Sequence, residues 1–399
     1  MSEPGSSVEN PIVIEDDDEM AGNPVKTPPT KKRKRKPSVS CPIDQKDIHV
    51  APKTDAISFE DVSMWKAKLA KDGFVVVTGI CTDSEINTML NNWKTDLENL
   101  GTGIDLNRPV TLTKPYLPGI ANVGIFKDPS SGWGQSRTSW ESRRLALPVF
   151  QCLWGSDKKL QTSFDTGSLF PNWNLPALKK SKTASGWLHV DKGSFIDQES
   201  IQGMFTWLPA DEKSGGLVVC PGTHNQHSNI LALHKKGDSK SNYIPLDWSI
   251  PDVVKIVETA GVHLVSAPAG SMILWNSAIV HANNPALVTS DNTSSVLRFA
   301  NYVCMMPEHT NKETYELRAQ AIEEGKSCNH WSFAFDMSKI KYKRCRGPIA
   351  FNNLPYPRHG TFHRLTSVAL SPETIRNDYP DMMDPVLPMS KKIKEQHTH

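Results

Sequence analysis

A mainly β fold with flanking helices is what this chain predicts, and three observations predict it. From Ser163 onward, short apolar and β-branched runs alternate with Gly, Pro and Asn turns, the rhythm of a sandwich or barrel. Before that point, apolar residues recur at helical spacing instead. At 399 residues and 38% hydrophobic composition, the chain can hold one large domain with a real core plus tails. The division expected is a disordered tail over 1–50, the β domain over 51–310, and a helix with a wrapping tail over 311–399.

Ser58-Phe59-Glu60-Asp61 is read as opening a helix, with Ser58 as N-cap and Asp61 reaching back as in a capping box. That helix runs to about residue 71 and stops at Asp72-Gly73. Phe74-Val75-Val76-Val77-Thr78-Gly79 is a β-branched strand. Asp83-Ser84-Glu85-Ile86 begins a second helix, on which Ile86, Met89, Leu90, Trp93, Leu97 and Leu100 share one face. A third covers 140–154 with Leu145, Val149, Phe150 and Leu153 inward, its aromatics being core rather than cofactor contacts. Residues 226–262, carrying Lys235-Lys236-Gly237-Asp238-Ser239-Lys240, break the strand pattern and read as a surface excursion near the mouth of the domain. A polar helix over 310–324 stops at Gly325. Beyond Lys326 the prolines Pro348, Pro355 and Pro357 suit a tail that wraps the domain and carries no recognisable chemistry.

Chemistry concentrates in Leu188-His189-Val190-Asp191, His281 and Arg298. Both side chains of a His-x-Asp step within one strand stand near the same strand end, and a histidine from a distant strand can complete one face of an octahedron. Two imidazoles and one carboxylate suit Fe(II), which needs open positions for a chelating 2-oxo acid and for dioxygen; a closed tetrahedral set would suit structural zinc. Arg298 follows His281 by 17 residues in the run Val296-Leu297-Arg298-Phe299-Ala300-Asn301-Tyr302-Val303. An arginine in such a strand is costly to bury unless its fork meets an anion, and the distal carboxylate of 2-oxoglutarate is the natural one. A His-x-Asp step on its own occurs by chance in many chains.

Context decides it. Downstream stand Met204-Phe205-Thr206-Trp207-Leu208-Pro209, then Ser214-Gly215-Gly216-Leu217-Val218-Val219-Cys220-Pro221-Gly222-Thr223-His224, then Ala267-Pro268-Ala269-Gly270-Ser271-Met272-Ile273-Leu274-Trp275-Asn276. In order and spacing these resemble the phytanoyl-CoA dioxygenase family of Fe(II)/2-oxoglutarate oxygenases, over roughly residues 72–307, more weakly at the N-terminal end. The resemblance implies a double-stranded β-helix, the cupin-like jelly roll, with the metal in its open mouth. It also implies a hydroxylase or demethylase that turns 2-oxoglutarate into succinate, with His189, Asp191 and His281 on iron and Arg298 on the co-substrate.

The remaining candidates have plainer readings. His224 and His227 share a turn, where hydrogen bonding is commoner than a second metal site. His263 reads as a satisfied core histidine. Trp187, Trp207 and Trp275 pack first and shape a substrate pocket second. Asn283 and Asn284 turn the chain or orient the metal ligand, and Thr206 is a candidate donor to 2-oxoglutarate.

Seven scattered cysteines, Cys41, Cys81, Cys152, Cys220, Cys304, Cys328 and Cys345, form no C-x-x-C pair, which argues for reduced packing thiols. No run approaches the roughly 18 apolar residues of a membrane helix, and Met1-Ser2-Glu3-Pro4 does not resemble a signal peptide. The first forty residues hold Glu15-Asp16-Asp17-Asp18-Glu19 and Lys31-Lys32-Arg33-Lys34-Arg35-Lys36 among Ser, Pro and Gly. Such a stretch cannot bury enough apolar surface to fold. Its basic run reads as an importin-binding nuclear signal, a nucleic-acid contact or a solvated charge run, and Ile12-Val13-Ile14 ahead of the acids resembles a SUMO-interacting motif that adds as a strand. Nuclear location is expected, with the cytoplasm as the other option. The tail's acids and bases cancel, so the formal +2 belongs to the rest, too weak a field to argue for duplex binding. Two other functions stay open: a catalytically silent nuclear adaptor, which would have no need of all three ligands and the arginine, and a cupin-type iron enzyme without 2-oxoglutarate, which would leave Arg298 without its anion. The substrate, whether acyl-CoA, metabolite, protein side chain or nucleobase, is not legible.

Overall fold

Two antiparallel-rich sheets face each other, each backed by helices on its outer side. The computed structural model describes residues 40–113, 116–117, 122–126, 131–191, 199–234, 243–309, 311–332 and 367–383. In chain order come β1 (His49–Val50), β2 (Ile57–Ser58), α1 (Val62–Asp72), β3 (Phe74–Thr78), α2 (Asp83–Asn99) and α3 (Arg137–Trp154). After these come β4 (Leu160–Thr162), β5 (Gly167–Pro171), β6 (His189–Asp191), β7 (Ile201–Thr206), β8 (Gly216–Cys220), α4 (His227–Leu233) and β9 (Tyr243–Pro245). The last group is α5 (Pro251–Ala260), β10 (His263–Leu264), β11 (Ser271–Asn276), β12 (Val280–Asn284), β13 (Val296–Pro307), α6 (Lys312–Glu323) and α7 (Pro372–Asp378). One sheet runs β1-β10-β8-β12-β6-β9, the other β2-β3-β11-β7-β13-β4 with β5 also on β13. This is the jelly roll expected.

Strand alternation divides the central apolar residues of the larger sheet between its two faces. Val75, Val77, Phe205, Met272, Leu274, Phe299 and Val303 face the helices. Their neighbours Val76, Met204, Ile273, Trp275, Ala300 and Tyr302 face the space between the sheets, where they meet Leu217, Val219 and Val265 of the smaller sheet. On that sheet's far side, α4 and α5 bury Ile230, Leu231, Val253 and Val257 against Val218, Cys220, Val280 and Ala282. Met89, Trp93 and Leu97 of α2, four residues apart, are at most 1% exposed, each such burial stabilising by roughly 1.5–3 kcal/mol.

Local signals set the element ends. Thr82 and Glu85 form the capping box that starts α2. Gly73 ends α1 at φ 81°, a left-handed conformation that suits glycine, and a Cβ there would collide with the His224 ring. Ser58, by contrast, caps no helix. It pairs with Thr78 in β2, and Asp61 is the N-cap of α1 with no side-chain cap bond.

Two further expectations change. Residues 226–262 are no simple surface excursion: besides α4 and α5 they supply β9, which pairs with β6 itself; Lys235 to Lys240 lie outside the described residues. The tail assigned to 1–50 is structured at its end, since His49 and Val50 pair with β10 and Ile48 is buried. In the C-terminal part, Tyr315, Ala321 and Ile322 of α6 and Ile375 of α7 are buried in the domain. The motifs Ile12-Val13-Ile14 and Lys31-Lys32-Arg33-Lys34-Arg35-Lys36, together with Cys345, Pro348, Pro355 and Pro357, lie outside the described residues. The other six cysteines are free, and burial pushes the Cys304 and Cys328 thiols up to about 12, where they pack as neutral groups. Among the described residues no helix is long and apolar enough to cross a membrane.

Candidate metal centre

Pairing of β12 with β6 sets His281 directly opposite His189, and the step from His189 to Asp191 keeps both on the inward face. The ligand-capable atoms of His189, Asp191 and His281 all lie within 4.8 Å of one another, and all three residues are buried. His281 Nε2 is 3.4 Å from Asp191 Oδ2, and His189 Nε2 is 3.8 Å from Oδ1. Each imidazole is oriented the same way: Nδ1–H of His281 donates to the Ile279 carbonyl at 2.9 Å and that of His189 to the Trp187 carbonyl at 3.3 Å. In those tautomers both Nε2 lone pairs face the centre.

Burial, then the neighbouring His281, drive His189 down to about 3, so at neutral pH it offers a lone pair rather than a proton. Burial alone would raise Asp191, but the imidazoles of His330, His189 and His281 around it hold its carboxyl well below the usual range. An ionised carboxylate among imidazoles, confined to one side, is a donor set that fits Fe(II) and leaves coordination positions open.

Several groups missed in the sequence hold Asp191. Gln202 of β7 donates Nε2–H to Oδ2 at 2.8 Å. Ser277 accepts the Asp191 backbone N–H at 3.0 Å, and His227 Nε2 donates to the Asp191 carbonyl at 3.0 Å. His227 is therefore a support for the centre, while His224 bonds the Ala70 carbonyl at 3.1 Å; the two do not combine into a second metal site. Gln202 was findable, because parity along β7 puts it inward with Met204. A fourth imidazole was not findable: His330 Nε2 lies 3.9 Å from Asp191 Oδ2.

Arg298 is fully buried on the inward face of β13. Its Nη2 presses on Met204 Sδ at 2.6 Å and its guanidinium lies 5.0 Å from the Phe170 ring centre, but Nε and Nη1 have no partner. Burial lowers its pKa without a carboxylate to oppose this. Gln202 and Met204 are successive inward residues of β7, roughly 7 Å apart at the strand rise; one touches Asp191 and the other Arg298. An orphaned guanidinium one strand repeat from the metal donors fits a ligand with an anionic end.

The aromatic neighbours divide. Trp187 stacks on His189 at 5.0 Å and 11°, Tyr243 lies 4.6 Å from the same ring, and Trp275 is 5.8 Å from His281. Trp207 is core on the helix side, donating to Asn301 Oδ1 at 2.9 Å. Thr206 is buried, and its hydroxyl donates to the Leu208 carbonyl at 2.6 Å, so the proton proposed for 2-oxoglutarate is engaged elsewhere. Asn283 donates to the Tyr302 hydroxyl and Asn284 pairs with Gln45; neither orients a ligand side chain. His263 is half-buried, edge-on to His49 at 4.8 Å, not a core residue.

The profile of the phytanoyl-CoA dioxygenase family matches residues 69–298, more than half of the chain. No curated protein matches in sequence. Among solved structures, iron-bound EctD from S. alaskensis is similar at 16% identity and TM-score 0.38, covering 65% of this chain and 80% of that one. The non-heme alpha ketoglutarate dependent epimerase SnoN of nogalamycin biosynthesis gives 12% and 0.36, over 62% and 83%. The non-heme monooxygenase ThoJ gives 17% and 0.38, over 61% and 77%.

Proposed function

The chain belongs to the phytanoyl-CoA dioxygenase family of Fe(II)/2-oxoglutarate oxygenases, and from that premise we propose that it hydroxylates, or by hydroxylation demethylates, a substrate C–H. Its cofactors are Fe(II), 2-oxoglutarate and dioxygen. Bound together they supply the oxidation: substrate R–H, dioxygen and 2-oxoglutarate become R–OH, carbon dioxide and succinate.

In this reading His189, Asp191 and His281 hold the iron. Trp187 and Gln202 keep His189 and Asp191 in place, the one by stacking and the other by its 2.8 Å hydrogen bond. Arg298 takes the far carboxylate of 2-oxoglutarate, and Met204 and Phe170 against it keep water from that end. The observation that carries the reading is Arg298, buried to 0% exposure with two guanidinium nitrogens unpartnered. A buried charge of this kind is costly until it meets a counter-ion. The test is succinate formation by Fe(II)-reconstituted protein, with and without nuclear extract as a source of substrate. No succinate under either condition sinks it.

Localisation rests on the tail. The cationic run Lys31-Lys32-Arg33-Lys34-Arg35-Lys36 suits an importin groove, and Ile12-Val13-Ile14 suits strand addition to SUMO. Deleting 31–36 is expected to move a fluorescently tagged protein to the cytoplasm, whereas Ile12→Ala with Ile14→Ala leaves it nuclear but weakens SUMO binding. A protein that stays nuclear after the deletion refutes the first assignment.

A further inference from the structure

Outside the family-matched span, a short strap after α6 carries a histidine into the centre. Residues 326–332 are pinned on several sides. Gln135 Nε2 donates to the Lys326 carbonyl at 3.0 Å, the Gly134 N–H to Ser327 Oγ at 2.8 Å, and the Cys328 N–H to the Phe164 carbonyl at 2.8 Å. Arg318, buried in α6, donates from Nη1 both to the Thr162 carbonyl of β4 and to the Ser332 carbonyl, each at 2.7 Å. Trp331, fully buried beside Cys304 and Met306, locks the strap's end. Between these anchors His330 has little freedom. Its ring packs 5.4 Å from Trp331 and its side chain is 16% exposed.

The ring faces the Asp191 carboxylate without making a hydrogen bond to it. Its Nε2 is sealed from solvent, has no hydrogen-bond partner, and lies 3.9 Å from Asp191 Oδ2. That oxygen already accepts from Gln202. His330 is not part of the compact three-donor group formed by His189, Asp191 and His281. Burying a nitrogen without a partner costs on the order of a lost hydrogen bond, and the strap's anchors hold it there all the same. Two sets of buried, unpartnered donors thus converge on this interior: Arg298, one strand repeat along β7, and His330, beside the carboxylate. A dicarboxylate that chelates a metal through one end has that same demand, a cation for its far carboxylate and a donor for the oxygen of its near carboxylate that the metal does not take.

We propose that His330 is a 2-oxoglutarate-binding residue that donates from Nε2 to the metal-proximal carboxylate, while Arg298 holds the distal one. The inference rests on the oxygenase reading and adds to it a co-substrate contact supplied from beyond the family's matched span. It makes the strap part of the site, so the segment after α6 cannot be removed without loss of co-substrate binding.

The test uses the full chain and two variants. His330→Phe keeps a ring against Trp331 and removes both nitrogens; His330→Gln restores a donor. Melting temperature checks folding, Mn(II) titration by calorimetry reads the metal site alone, and 2-oxoglutarate titration of the Mn(II)-loaded protein reads the co-substrate. His330→Phe is expected to weaken 2-oxoglutarate binding about tenfold, the scale of one hydrogen bond to a charged group, with Mn(II) affinity within about twofold and His330→Gln regaining most of the loss. Unchanged 2-oxoglutarate affinity in His330→Phe overturns the assignment. So does an equal loss of Mn(II) affinity, which would make His330 a ligand. If the parent itself binds no 2-oxoglutarate with metal present, the oxygenase reading falls and takes this inference with it; if the parent binds and His330→Phe matches it, only the inference falls.

Discussion

On one face of β13 Asn301 is buried with its hydrogen bonds made; on the other, Arg298 is buried with most of its donors idle. Asn301 Oδ1 accepts from the Trp93 and Trp207 indoles at 2.8 and 2.9 Å. Arg298, three residues earlier and on the opposite face, meets a sulfur and an aromatic ring, with the Tyr302 phenol nearby and, among the described residues, no carboxylate to pair it. Both are polar groups taken out of water at the same 0% exposure. The saturated one is architecture, since its partners are part of the fold. The unsaturated one marks where the fold expects something from outside.

Substitutions can break that comparison, and the largest effect belongs to the metal donors. Asp191→Ala or His189→Ala is expected to lower metal affinity by more than about 100-fold, because supporting residues alone are worth roughly 10–100-fold. The melting temperature stays near the parent's; metal calorimetry with a thermal melt checks both. Next is Asn301→Leu, which strands two indole N–H groups at about 1–3 kcal/mol each and shows as a lowered denaturant midpoint with no change in cofactor affinity.

Arg298→Leu reverses that pattern. Removing an uncompensated buried charge is neutral or stabilising in the ligand-free protein, while 2-oxoglutarate binding is lost. Arg298→Lys keeps the charge but not the fork, and is expected to cost about 1.5–3 kcal/mol of co-substrate affinity with metal binding unchanged. If both β13 variants lower stability equally, the contrast between the two faces is wrong. Smallest is Gln202→Leu, expected to weaken metal binding about tenfold at little structural cost, read by the same calorimetry.

How much was legible follows the same division. His189 and Asp191 could be read because strand parity puts them on one face, His281 and Arg298 because the order and spacing of the flanking segments resemble the family's, and Arg298 also because it is a charge inside an apolar run. Ser58 was misread because its cap motif competes with pairing to Thr78, and the pairing wins. The span 226–262 was misread because β9 has only three residues and α4 seven, too short for periodicity to separate from loop. His330 left no trace, since its place comes from Arg318, Gln135 and Trp331 acting across the fold, and local pattern carries no record of such bonds.

The central claim is that three inward donors and one unpaired guanidinium form a single site for Fe(II) and 2-oxoglutarate. Anaerobic titration of the Fe(II)-loaded protein with 2-oxoglutarate tests it most directly, through the metal-to-ligand charge-transfer absorption of the chelate. The account predicts a band that saturates at one equivalent, shifts to higher 2-oxoglutarate concentration in Arg298→Lys, and is absent in Asp191→Ala. A parent protein that binds Fe(II) yet develops no band, or an Asp191→Ala variant that develops the full band, would contradict it.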